Sequence, residues 1–162
     1  MTLIDQIGSQ AVRRVMQFRA RRGASLLGAI GEAVSAEGIQ AGIIVSGLGA
    51  LEKAVFRNLR HFPQAFPVTP GDRLYLEVSQ PMELVSLMGW IAPRTDGEME
   101  IHAHFSASLV QKDTVVTLGG HLTNETLCGI KVVVAVLEVA PEGVMARKDA
   151  GTQTQDLWLE KI

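Results

Sequence analysis

An α+β fold, with one main helix packed on a largely antiparallel, barrel-like sheet, is predicted by three observations. Only one block, Ser25 to Glu37, repeats apolar residues at helical spacing (Leu26, Leu27, Ile30, Ala33, Val34). From about residue 40 onward the chain breaks into short, β-branched apolar runs. Gly, Pro and Asp turns such as Thr95-Asp96-Gly97 and Gln111-Lys112-Asp113 separate those runs.

Each element has its own signal. Val12 to Ala20 places Arg13, Arg14 and Arg19 among apolar residues and reads best as a strand at an edge, with a helix as the alternative. Gly23 breaks the chain, Ser25 can cap the helix that follows, and Gly38 stops it. Ile39 to Val45 reads as a buried strand that ends in a tight glycine turn, Ser46-Gly47-Leu48-Gly49-Ala50, with a separate strand over Ala54 to Leu59. That Gly-x-Gly lacks the third glycine of a dinucleotide loop, so the turn reading stands above the nucleotide reading. Pro63, Pro67, Pro70 and Gly71 punctuate the approach to a strand over Arg73 to Val78. Further strands are expected over Glu83 to Ala92, Glu100 to Val110, Val115 to Leu118 and Gly129 to Val139. The tail from Pro141 to Thr154 is polar and expected to be loosely held, with Asp156 to Leu159 as a possible last edge strand.

The 162 residues, 47% apolar and 20% charged, suit a single domain spanning 1–162, its core over about 12–140 and a tail over 141–162. Fifteen Lys and Arg against seventeen Asp and Glu leave a net charge of −2, which supplies no global field for nucleic acid. The single cysteine, Cys128, excludes an internal disulfide and sits between Leu127 and Ile130 as a small buried hydrophobe would. The start, MTLIDQIGSQ, lacks a signal pattern, and no apolar run approaches the ~20 residues of a membrane span. A cytoplasmic location without membrane contact is the resulting expectation.

The chemistry concentrates in Glu100-Ile-His-Ala-His-Phe-Ser-Ala-Ser-Leu109. With a period of two, Ile101, Ala103, Phe105, Ala107 and Leu109 take one face, while His102, His104, Ser106 and Ser108 take the other. Residues two apart on a strand stand ~6.5–7 Å apart, so two imidazoles can lean onto one ion. His121 follows Gly119-Gly120, whose freedom to bend could turn a third imidazole inward. Three nitrogen donors with a free position describe an open zinc site, and such a site should lose its ion below about pH 6 as imidazoles protonate. The bland alternative is two half-exposed strand histidines and one turn histidine. Periodicity alone favours that alternative, since it does not say which strands pair.

Arg22-Gly-Ala-Ser-Leu-Leu27, Ile44-Val-Ser-Gly-Leu-Gly-Ala50, Glu83-Leu-Val-Ser-Leu-Met-Gly89, His102-Ala-His104 and Gly119-Gly-His-Leu122, in that order, resemble the plant and prokaryote conserved (PPC) domain. The resemblance runs from about Arg14 to Val139. It implies an α+β homotrimer with a fold similar to acetolactate decarboxylase, where three histidines bind zinc. It carries over His102, His104 and His121 as ligands of zinc or another divalent transition metal. Plant members are fused to AT-hook DNA-binding motifs, and stand-alone members resemble this chain. Departures limit the transfer. Ser25 stands where relatives usually have an acidic residue, Glu125 where glycine is common, and Lys131-Val132 where a glutamate often sits in the last strand. A reaction that needs that glutamate is therefore not implied here. No Pro-flanked Arg-Gly-Arg occurs, and Arg19-Ala-Arg-Arg-Gly23 reads as a basic turn.

Two functions are carried forward, with catalysis left open. One is metal-dependent small-molecule binding or lyase-like activity, with Arg57 and Glu125 as conceivable anion-binding or acid/base helpers, each more simply read as surface charge. The alternative is a DNA-binding or protein-interaction module without catalysis, with DNA contact unsupported by the charge.

Overall fold

The computed structural model describes residues 3–160. The chain opens with β1 (Val12–Arg21), followed by α1 (Leu26–Ala36) and β2 (Gly42–Leu59). A short 3-10 turn at Pro70–Asp72 leads into β3 (Arg73–Val78). Strands β4 (Met82–Pro93), β5 (Met99–Gln111), β6 (Thr114–His121) and β7 (Leu127–Val139) follow, and β8 (Val144–Lys148) with β9 (Gln155–Leu159) close the order.

The helix begins where Ser25 Oγ accepts the Gly28 amide at 3.1 Å, satisfying one of the orphan donors of its first turn. It ends at Glu37, beyond which Gly38 turns with φ +66°, a conformation that favours glycine. Leu26, Ile30 and Val34 recur at four-residue spacing and are essentially fully buried. Burying side chains of this size contributes about 1.5–3 kcal/mol each, so replacing Ile30 with a charged residue would detach the helix.

The main sheet has seven strands in the order β1-β7-β2-β4-β5-β6, with β3 added alongside β2. All its pairings are antiparallel. With one eleven-residue helix the fold is mainly β, with less helix than α+β suggests. The barrel expectation is also reduced. Strand β6 returns to β2 through one residue pair, Arg57 opposite His121, while β1 remains an edge beside β7. The core lies on the inner face, where Ile44, Phe56, Leu87, Phe105 and Val134 pack with the helix anchors. Phe56 and Phe105 stack there with ring centroids 4.8 Å apart.

The glycine turn expected at Ser46–Ala50 does not form. Those residues lie inside one eighteen-residue strand, β2, bent by register shifts at Ile44/Ser46 and Gly49/Leu51. Gly49 has φ +148°, and a Cβ there would come 2.0 Å from the Lys131 carbonyl oxygen. The glycine thus permits a bulge and a close approach by β7. The tail is likewise better ordered than its composition suggests. Strands β8 and β9 pair with each other, so Asp156–Leu159 joins a separate two-stranded sheet and not the main one. Val144 and Ala146 bury against Ala41, Ala92 and Val139, with Trp90, Leu157 and Leu159 around them. Cys128 is fully buried, as expected of a small hydrophobe, and burial pushes its thiol up to about 11. No helix among the described residues is long and apolar enough to cross a membrane.

Candidate metal centre

The antiparallel register assembles a row of side chains on the outer face. His104 on β5 lies opposite His121 on β6, His121 opposite Arg57 on β2, and Arg57 opposite Tyr75 on β3. Directly opposed residues share a face, with Cβ atoms ~4.5–5.5 Å apart. His102, two residues before His104, is on the same face and lies opposite Trp90 on β4. The nitrogen atoms that His102, His104 and His121 could offer as ligands lie within 4.8 Å of one another. His102 Nε2 and His104 Nε2 are 3.2 Å apart. His121 meets both rings edge-on, at 4.6 Å from His102 and 5.1 Å from His104 between centroids. Trp90 stacks on His102 at 5.2 Å and holds that ring in place. The fourth histidine, His61, lies elsewhere and pairs with Asp72 at 2.9 Å.

The position of His121 has a different cause from the bend expected at its glycines. His121 is the last residue of β6, and the ladder to β5 delivers it. A Cβ on Gly120 would lie 2.8 Å from Asn58 Nδ2 and 3.1 Å from the Arg57 carbonyl oxygen, so this glycine lets β6 close on β2.

All three imidazoles are held below their ordinary pKa. Desolvation is the largest cause for each. The Arg57 charge adds to it, and His121 is brought down to about 3. Neutral imidazoles have free lone pairs, the state a metal requires. Two ligands on a tetrahedral ion at ~2.0–2.1 Å stand ~3.3–3.4 Å apart, close to the His102–His104 separation. The donor set is three nitrogens without a carboxylate, and it fits zinc or another borderline divalent metal.

The histidines line a cleft of about 1040 Å³, together with Arg57, Arg73 and Tyr75. Arg57 is half-buried, and burial followed by the nearby Arg73 charge lowers its pKa. Glu125 stands exposed on the cleft wall, as the surface-charge reading expected. Trp90, Arg73 and Tyr75 carried no signal in the sequence, because only strand pairing brings them to the histidines.

A small, mainly β domain with three imidazoles converging on a cleft is the class of protein that fold and site define. The chain matches the model of the Plants and Prokaryotes Conserved (PCC) domain over residues 8–140 and belongs to that family. It is similar to a solved metal-containing protein from Archaeoglobus fulgidus, at 25% identity and TM-score 0.73, covering 96% of this chain and 99% of that one. A plant- and prokaryote-conserved protein from Pyrococcus horikoshii shares the fold at 24% identity and TM-score 0.74, over 96% and 97% of the two chains. So does a protein from Ralstonia eutropha JMP134 whose name proposes DNA binding, at 22% identity and TM-score 0.66, over 89% and 90%. Among curated proteins there is no significant match.

Proposed function

We propose that this protein is a metal-dependent binder of a small molecule, with His102, His104 and His121 holding one divalent ion, zinc by preference. The observation that carries this reading is the convergence of three neutral imidazoles, their ligand atoms within 4.8 Å, at a cleft roomy enough for a ligand. An ion there would supply Lewis acidity toward a bound oxygen, the chemistry lyase-like activity would need. Trp90, stacked on His102, would orient that ring, and the cleft beside the histidines has room for a ligand. The experiment is metal analysis of the purified protein after incubation with Zn(II), beside His102→Ala. One ion per chain, lost in the variant, is expected; equal metal in both would sink the reading.

Assembly as a homotrimer is part of the same proposal. The outer face carries Ile43, Leu48 and Met88 at 47%, 74% and 61% exposure, apolar side chains that a subunit interface would cover. Sedimentation at micromolar concentration should give a trimer, and a monomer there would count against it. A cytoplasmic setting accords with the single free thiol. The second reading, DNA binding, is favoured by the names of relatives such as the Ralstonia protein. The net charge of −2 opposes it. A gel shift that weakens steeply with salt would revive it.

A further inference from the structure

The histidine row continues past the candidate metal ligands into two cations, Arg57 and Arg73, that have no ion pair among the described residues. Arg57 directly follows His121 across the β6–β2 pair, and Tyr75 directly follows Arg57 across the β2–β3 pair. Arg73 lies opposite Leu59, two residues beyond Arg57 on β2, so it shares the outer face with Arg57. Among the described residues five of the ten arginines form ion pairs with carboxylates, as Arg14 does with Glu37 and Glu138 and Arg94 with Asp96 and Glu100. Neither Arg57 nor Arg73 has such a pair within 4.0 Å among the described residues. Their charges instead act on each other. The cleft does hold acids, but they are spent or set back. Glu100 pairs with Arg94 at 3.6 Å, while Asp156 and Glu125 stand exposed on the cleft wall without an ion pair to either arginine among the described residues.

A half-buried guanidinium beside a second one, without a carboxylate, is costly unless something negative completes it. Arg presents its donors in a planar fork that matches a carboxylate or phosphate, and a tyrosine hydroxyl adds one more donor. We infer that Arg57, Arg73 and Tyr75 form an oxyanion subsite beside the three histidines, and that the ligand of this cleft is a small organic anion. Its carboxylate or phosphate lies on the arginines while an oxygen elsewhere in the molecule faces the histidines. This names the ligand class of the site proposed above and rests on that reading for its metal side.

The test is to titrate pyruvate, its uncharged methyl ester and inorganic phosphate into the full-length protein, with and without Zn(II). Binding is followed by calorimetry in wild type, Arg57→Gln and Arg57→Lys, with metal content measured in each. Expected is binding of at least one anion that falls about tenfold or more in Arg57→Gln and is partly restored in Arg57→Lys. Metal content should stay unchanged across the three proteins. The anion bound more tightly tells a carboxylate ligand from a phosphate one. The inference is overturned if the ester binds as well as pyruvate, or if Arg57→Gln binds both anions like wild type. Wild-type binding of both anions weaker than about 10 mM overturns it too. Arg57-dependent anion binding in a protein that takes up no metal upholds the subsite and sinks the metal reading. Metal uptake with Arg57-independent anion binding does the reverse.

Discussion

Strand β5 has two faces made from one run of backbone, and they are organised by different rules. On the inner face Ala103, Phe105, Ala107 and Leu109 are buried, each within reach of core neighbours. On the outer face the partners come from other strands: His102 lies opposite Trp90, His104 opposite His121, Ser106 Oγ meets Ser86 Oγ, and Ser108 lies opposite Glu83 and Thr117. Alternation along the chain suffices to build the inner face. The outer face depends on register, because a slip of one residue between β5 and β6 would send His121 to the other side. Stability should therefore live on one face and chemistry on the other.

The largest effect should come from the inner face. Phe105→Ala removes a ring stacked on Phe56 and leaves a cavity, so a loss of about 3–5 kcal/mol is expected in denaturant unfolding. A loss under about 1 kcal/mol would show that the core is not organised around this pair. On the outer face His104→Ala should do the opposite. Metal affinity should fall by more than the ~10–100-fold typical of losing an outer-shell partner, while apo stability stays within about 0.5 kcal/mol. Equal affinity in a competition with a chromophoric chelator would break the distinction between the faces.

Gly120→Ala sharpens the comparison, since it touches register without touching a ligand. The added methyl must displace Asn58 or the Arg57 backbone, costing about 1–3 kcal/mol and moving β6 away from β2. Metal binding should weaken along with stability; unchanged metal binding would mean that the contact with β2 does not position His121.

A smaller effect is expected with pH. The three folded-state imidazoles titrate below the ~6.5 of free histidine, so the unfolded chain takes up protons first as pH falls. Their contribution to apo stability is fully present above pH ~6.5 and is lost between there and about 3, where His121 protonates. The same lowering moves proton competition for the metal below the pH ~6 that ordinary imidazoles imply. Arg57→Gln removes one cause, so the His121 pKa, read by NMR, should rise. A fall would contradict the electrostatic account.

How much of this was legible in the sequence follows the same division. The helix, its Ser25 cap, β1, β3 to β7 and the burial of Cys128 are local patterns and were readable. His102 and His104 shared a face by alternation, and His121 joined them by resemblance. Their convergence was hidden, because the pairing of β5 with β6 and β6 with β2 is long-range. Gly47, Gly49 and Gly120 were read as turn or hinge, yet Gly47 makes room for the Leu84 and Leu87 side chains and the other two let neighbouring strands approach closely, which a single sequence does not display. The ordered β8–β9 hairpin escaped for a related reason. Val144 and Ala146 find their partners on β4, at the end of β7 and just before β2, far from the polar tail that conceals them.

The central claim is that three side chains from two strands hold one metal ion. It is tested most directly by elemental analysis of the Zn(II)-supplied protein, beside His104→Ala and His121→Ala purified alongside and checked for folding by circular dichroism. The account predicts one ion per chain in wild type and a loss of nearly all of it in both folded variants. Stoichiometric metal in either variant, or none in wild type, would contradict it.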